Sequence, residues 1–260
     1  MKAILKKCIQ FVFSLFGKKH LLELWQIKKY EPTILPYITN FYAGFIYPEM
    51  KIIDVGANVG NYSKVFVNCG AQVIGIEPQQ YCQNLLKARF LNNKHFKLIP
   101  KASGSKISIA KIHKTQSHTI ASMNPNWIEH VKKTNRFSGE NWNTMEEVTV
   151  TTLDTIINDN FLPNYIKIDV EGFELEVLKG LTKAVDYISF EITLPETKNM
   201  AIDCVNEICR IGNYVFAIPN NNQLADITIW QTKQQIMELL ETLSQSSTSV
   251  SSDIFCKKVN

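Results

Sequence analysis

From Lys51 onward the apolar positions alternate between short continuous runs and stretches with a helical period. KIIDVGANVG (Lys51–Gly60) opens as a buried run and closes in a glycine-rich turn. NYSKVFVNCG follows as a helix, with Gly70 as its natural stop. AQVIGIE (Ala71–Glu77) is a second buried run, broken by Pro78. QYCQNLLKARFLNN has helical spacing, and FKLIPKA (Phe96–Ala102) reads as a third strand. Strand, helix, strand, helix, strand at this spacing predicts a doubly wound α/β sheet.

The pattern changes at Ser105. SKISIAKIHK (Ser105–Lys114) alternates apolar with polar positions, which predicts an exposed antiparallel strand. Thr115–Met145 is polar with two isolated tryptophans, Trp127 and Trp142, before EEVTVTTLDTII resumes as a strand and a short helix. Residues 105–152 therefore read as an insertion over the mouth of the sheet. Its tryptophans are either plugs or substrate-contacting rings. The alternation then returns: YIKIDVEG (Tyr165–Gly172) is a strand, FELEVLKG a helix ending at Gly180, and DYISFEIT (Asp186–Thr193) another strand. MAIDCVNEICRIG is a helix, YVFAIP a strand, and TKQQIMELLETLSQ a late amphipathic helix. SQSSTSVSSD reads as a serine-rich loop, and DIFCKK as a last short strand at the sheet edge. Upstream, Leu21–Met50 carries Pro32, Pro36 and Pro48 and predicts helical pieces leading into the first core strand. The expected organisation is a helical extension over 1–50 and one domain over 51–260.

Composition narrows this picture. A length of 260 residues, 45% hydrophobic and 20% charged, fits a soluble globular chain with a sizeable core. The six cysteines form no C-x-x-C pair and read as reduced thiols in a cytoplasmic protein. The net charge of +4 is local: five of the 28 basic side chains (Lys2, Lys6, Lys7, Lys18 and Lys19) fall in the first twenty residues, which hold no acid, leaving 23 against 24 acidic ones. A body near neutrality gives no case for nucleic acid binding. The basic tail has a helical apolar stripe at Ile4, Leu5, Cys8, Ile9, Val12, Leu15 and Phe16, too short to span a bilayer. Residues 1–20 either make peripheral contact with anionic lipid or pack on the domain or a partner subunit, and packing is the favoured reading.

Ligands of open α/β sheets lie outside the carboxyl ends of the strands. The candidates there are Asp54, Gly56, Ala57, Asn58, Gly60 and Asn61 around the first turn, then Glu77, Ala102 and Ser103, Asp169 and Glu171, and Glu191. A dinucleotide turn, G-x-G-x-x-G, would need glycine two places after Gly56, where this chain has Asn58. The spacing favours S-adenosylmethionine over a nicotinamide cofactor. A carboxylate at Glu77 can accept both ribose hydroxyls; its structural alternative is to cap the helix after Pro78. Asp54 could instead bind the turn amides, and Glu191 could ion-pair with a lysine. Asp169 and Glu171, two apart at a strand end, are placed on one face and either could act as general base toward a hydroxyl nucleophile. Two carboxylates could also hold a divalent metal that acidifies the hydroxyl, but no third ligand is evident, so a metal-free base is preferred. His95, His113, His118 and His130 are further base candidates.

DVGANVGNYS, then IEPQ, VTTLDTII, YIKIDVEGFELEVLKG and a late strand ending in FEIT together resemble FkbM-type S-adenosylmethionine-dependent methyltransferases. The resemblance runs from about Lys51 to about Ile192. It implies a Rossmann-like class I methyltransferase fold: a mostly parallel seven-stranded sheet, helices on both faces, and an antiparallel last strand. It also implies that Asp54, Gly56, Asn58 and Gly60 line the cofactor turn, that Glu77 binds the ribose, and that Ser103 meets the adenine. Asp169 and Glu171 would stand near the methyl group. The expected reaction is O-methylation of a sugar hydroxyl in a glycan, glycolipid or natural product. The other classes are a nicotinamide-dependent oxidoreductase, disfavoured by Asn58 and by the lack of a Tyr-x-x-x-Lys pair, and a non-catalytic protein that binds S-adenosylmethionine or a membrane.

Overall fold

The computed structural model describes residues 19–115, 120–134, 137, 139–219, 223–245 and 250–259, with side chains from 27 onward. The basic stripe of residues 1–18, His118 and part of the serine-rich stretch lie outside the described residues. The main sheet contains β1 (Lys51–Val55), β2 (Gln72–Ile76), β3 (Phe96–Ile99), β7 (Tyr165–Ile168), β8 (Tyr187–Leu194), β9 (Tyr214–Ala217) and β10 (Val250–Lys258). Their order is β3-β2-β1-β7-β8-β10-β9. The first five are parallel, and β10 runs antiparallel to both neighbours. This is the Rossmann-like arrangement with an antiparallel last strand. DIFCKK does not lie at the edge: β10 is nine residues long and sits inside the sheet, and β9 forms the border. Three consecutive buried residues, Ile254, Phe255 and Cys256, are what an interior strand covered on both faces requires.

Successive residues of β1 serve opposite layers, as a period of two dictates. Ile52 packs with Val73, Phe66, Leu86 and Tyr165 on one face, whereas Ile53 packs with Ile74, Ile156, Leu178 and Val205 on the other. The first layer is built by α1 (Lys19–Tyr42), α2 (Asn61–Asn68) and α3 (Gln80–Arg89). The second is built by α5 (Leu153–Asp159), α6 (Glu174–Lys179), α7 (Lys198–Ile211) and α8 (Lys233–Ser244). The expected helical pieces before β1 are one helix of 24 residues that includes Pro32 and Pro36. Both prolines are exposed and stand four apart on one face, so the carbonyls they leave unpaired can meet water. Ile38 and Tyr42 hold the opposite side in the core.

The predicted third strand splits at Pro100, which has no N–H for a ladder. β3 ends at Ile99, and Ala102–Ser103 becomes β4 of a second sheet with β5 (Ser108–Lys114) and β6 (Thr144–Thr151), in the order β4-β6-β5. The exposed strand foreseen in residues 105–152 is β5; Ile107 and Ile109 near its start face solvent. α4 (Pro125–Thr134) completes this segment. Trp127 and Trp142 form a small core with Ile120, Ile128, Val131 and Phe137, and the Trp142 indole N–H donates to the Ile120 carbonyl at 2.8 Å. They are plugs. Among the described residues no helix is long and apolar enough to cross a membrane.

Candidate functional site

Chain order reverses where β1 lies between β2 and β7, so their carboxyl ends diverge and leave a crevice. A cleft of about 230 Å³ opens there, and the turn after β1 forms its floor. Gly56 has φ of +81°, and a Cβ on it would stand 1.8 Å from the Asp169 carbonyl oxygen. Only a glycine lets the two strand ends come this close. Gly56→Ala should therefore cost several kcal/mol, about 1–3 of it from the left-handed backbone alone. Purified Gly56→Ala is expected to melt well below wild type and to lose ligand binding in the cleft, which differential scanning calorimetry and ligand titration would read. An unchanged melting temperature would show that the two turns can separate freely.

Asn58 also adopts a left-handed conformation, φ 51°, which asparagine tolerates better than most residues. Its side-chain oxygen accepts from the Val59 N–H at 2.7 Å. Its own amide donates to Glu77 Oε2 at 2.9 Å, and the Gln79 amide donates to Oε1 at 2.8 Å. Glu77 is thus held by the turn it faces. Burial pushes its carboxyl up to about 7, against the opposing pull of those two amides and of the Gln79 side chain. The Gln79 side chain adds a third bond, and a carboxylate, with about four acceptor sites, keeps capacity for a ligand hydroxyl.

Gly56, Ala57, Asn58, Asn61, Glu77, Ser103, Asp169 and Glu171 all line the cleft, together with Tyr62. Asp54 and Gly60 do not. Asp54 shares the face of Ile52, toward α2, and accepts from Ser63 Oγ at 2.5 Å. Gly60 faces the side chains of Leu86 and Phe90. The two support the turn from behind. Asn61 is oriented by Arg89, whose guanidinium also donates to the Val59 carbonyl. Ser103 is 3% exposed, and its Oγ has no partner among the described residues, so the wall opposite the turn offers an unsatisfied hydroxyl. Of the histidines, His95 bonds Gln72 at the start of β2, and His113 and His130 are absent from the cleft lining.

Asp169 and Glu171 do not share a strand face, because β7 ends at Ile168 and Glu171 turns into a left-handed conformation, φ 55°. The segment 105–152 secures that turn. Ser122 Oγ donates to the Glu171 carbonyl at 2.6 Å and Asn124 Nδ2 to the Gly172 carbonyl at 2.7 Å, while Trp127 lies against Gly172. From below, the buried Glu174 carboxylate accepts from the amides of Val170 and Gly172. Asp169, Glu171 and Glu191 then place one oxygen each within 4.8 Å of one another. The third carboxylate that the sequence did not make evident is Glu191, which makes no ion pair with a lysine among the described residues. Burial, then Asp169 and Glu171, push its carboxyl well above the usual range.

Lys167 was not singled out in the sequence, yet it anchors this group. Its ammonium is buried, 2.7 Å from Asp169 Oδ2 and 4.1 Å from the centre of the Tyr62 ring. Burial works against the charged form, but Asp169, Asp253, Tyr62 and Asp54 outweigh it and hold Lys167 protonated. The available signal was the lysine itself. A central parallel strand, covered on both faces, should be apolar throughout, and YIKI is interrupted once.

Comparison with known proteins puts this site in context. Residues 54–229 match the methyltransferase FkbM domain. Over 48 residues the chain is 46% identical to the hexuronic acid methyltransferase AglP of Haloferax volcanii, a stretch covering 16% of this chain and 20% of that protein. The chain therefore matches about a fifth of the length of that curated relative. Among solved structures, the precorrin-6y C5,15-methyltransferase of Geobacter metallireducens superposes with a TM-score of 0.44 at 8% identity, over 88% of this chain and 89% of that one. An rRNA methylase from Streptococcus thermophilus gives a TM-score of 0.39 at 9% identity, over 87% and 94%. The FkbM match spans most of the chain, including the turn after β1, Glu77 and the Asp169 loop, and this protein belongs to the FkbM methyltransferase family.

Proposed function

We propose that this protein transfers a methyl group from S-adenosylmethionine to a sugar hydroxyl. The observation that carries the reading is Glu77: a buried carboxylate at the end of β2, fixed by two turn amides and the Gln79 side chain, and lining a cleft. That is the acceptor a ribose diol needs. The unsatisfied Ser103 hydroxyl on the far wall suits an adenine edge, so the residues present fit the group. When bound, S-adenosylmethionine supplies a methyl on a positively charged sulfur, which leaves as a neutral thioether while the new C–O bond forms. A pyrophosphate is poorly served here, since the Asn58 amide is already committed to Glu77.

The acceptor hydroxyl must lose its proton as it attacks. Asp169 lines the cleft and receives that proton, while Lys167 fixes the orientation of its carboxylate. Glu171 and Glu191 bind and orient the acceptor. Alignment within this small enclosure supplies much of the rate. The match to AglP, whose name specifies a hexuronic acid, adds weak support for a sugar acceptor. The test is titration of the purified protein with S-adenosylmethionine and with NADH, followed by incubation of a glycan extract with methyl-labelled S-adenosylmethionine. The expected result is binding of the first ligand alone and label in a base-stable methyl ether. NADH binding without S-adenosylmethionine binding would overturn the reading; label in esters or amines would overturn the sugar hydroxyl.

A further inference from the structure

A second cleft, of about 210 Å³, lies beside the first and is lined by Tyr37, Phe41, Tyr62, Glu191, Ser251 and Asp253, among others. The two clefts share the Tyr62 ring. They also meet through the carboxylates, since Glu191 lines the second and its oxygen lies within 4.8 Å of those of Asp169 and Glu171, which line the first. A methyl-transfer enzyme needs two binding spaces that touch at one point, and this junction supplies one. α1 forms one wall and the start of β10 the other, so neither wall belongs to the glycine-rich turn that serves the donor.

We infer that this second cleft is the acceptor site and that it takes a neutral sugar ring, not a uronic acid. The inference rests on the methyl-transfer reading. The chemistry of the lining carries the choice. Aromatic faces at Tyr37, Phe41 and Tyr62 suit the C–H face of a pyranose, and Tyr37 is 67% exposed. Carboxyl and hydroxyl groups at Glu191, Ser251, Ser252 and Asp253 suit ring hydroxyls. Among the described residues lining the cleft there is no lysine, arginine or histidine, whereas two are acids. A uronate carboxylate would meet two acid side chains and no cation lining the cleft, so its charge would be desolvated without a partner, which is strongly unfavourable. The Lys167 ammonium is 1% exposed and bonded to Asp169, and it does not line this cleft.

The test uses the full chain saturated with S-adenosylhomocysteine, and saturation-transfer NMR with methyl glucoside and methyl glucuronoside as probes. The glucoside is expected to bind, and the glucuronoside to bind roughly tenfold or more weakly. Tyr37→Ala and Ser251→Ala/Ser252→Ala should each weaken glucoside binding while leaving the S-adenosylhomocysteine Kd unchanged. Equal or better binding of the glucuronoside overturns the neutral-sugar assignment. No glucoside signal, or a signal indifferent to both variants, overturns the location. Failure of S-adenosylhomocysteine itself to bind would count against the methyl-transfer reading instead, and the two failures are thereby distinguished.

Discussion

Glu77→Ala is expected to raise the S-adenosylmethionine Kd by at least about a hundredfold, while Glu77→Gln gives an intermediate loss. The carboxylate accepts the Asn58 and Gln79 amides and, in the bound state, the ribose diol. Hydrogen bonds to a charged group contribute about 1.5–3 kcal/mol each, so losing two ligand bonds alone exceeds the ~2.7 kcal/mol of a hundredfold change. Alanine also leaves both turn amides without their acceptor. Isothermal titration reads the affinity, and a thermal melt separates lost binding from lost fold. The same residue predicts a pH dependence. Burial raises the Glu77 carboxyl to about 7, and a diol can donate to both oxygens only when the proton has left. Binding must then expel that proton below about pH 7. Affinity should fall there by about tenfold per pH unit and level off above pH 8. In the ligand-free protein the sign is opposite: a carboxyl raised in the fold contributes its full stability below its unfolded value, and that contribution is lost as pH rises through about 7. Ligand therefore stabilises most where the apo protein is weakest. A wild-type affinity profile that matches Glu77→Gln between pH 6 and 8 would remove Glu77 from the binding site.

What the sequence made legible follows from how local each signal is. The turn after β1 and the carboxylate ending β2 lie within one βαβ unit, so Gly56, Asn58 and Glu77 could be read together. Asp54 carried a readable signal of another kind. The period of two that sends Ile52 toward α2 sends Asp54 there as well, away from the cleft and onto Ser63. The edge position expected for DIFCKK failed because strand order depends on pairing with β8 and β9, which share no local pattern with it. Glu191 illustrates the same limit. Its approach to Asp169 depends on β8 lying beside β7, and its neighbour Asp253 arrives by antiparallel pairing from 62 positions further along the chain. The segment 105–152 was legible as a departure from alternation, but its grip on the Glu171–Gly172 turn rests on Ser122, Asn124 and Trp127, residues that mean nothing until the loop is folded.

Lys167 and Asp169 should behave as a unit in which each single change costs more than its chemistry. Asp169→Asn removes the proton acceptor, and turnover should fall by about 10²–10⁴ with the S-adenosylmethionine Kd little changed. It also leaves the Lys167 ammonium, 1% exposed, facing a neutral amide. Removing one partner of a buried pair costs about 3–5 kcal/mol. The asparagine oxygen and the residual attraction of Asp253 and Asp54 keep this case toward the lower end. Lys167→Met strands Asp169, whose side chain is 29% exposed and open to water, but it also takes the cation from Asp253 and from the buried Asp54, so the fold should lose at least as much as from Asp169→Asn. Its activity should still collapse, because Asp169 is then free to rotate away from the acceptor. The double variant Lys167→Met/Asp169→Leu leaves neither charge. It should melt above the sum of its two singles, at roughly 2–4 °C per kcal/mol for a chain of this size, and recover none of the activity. Stability and turnover must therefore part company in this cycle. If the double variant melts as low as the sum of its singles, the two residues are uncoupled; if Asp169→Asn turns over at the wild-type rate, Asp169 is structural and the proton goes elsewhere.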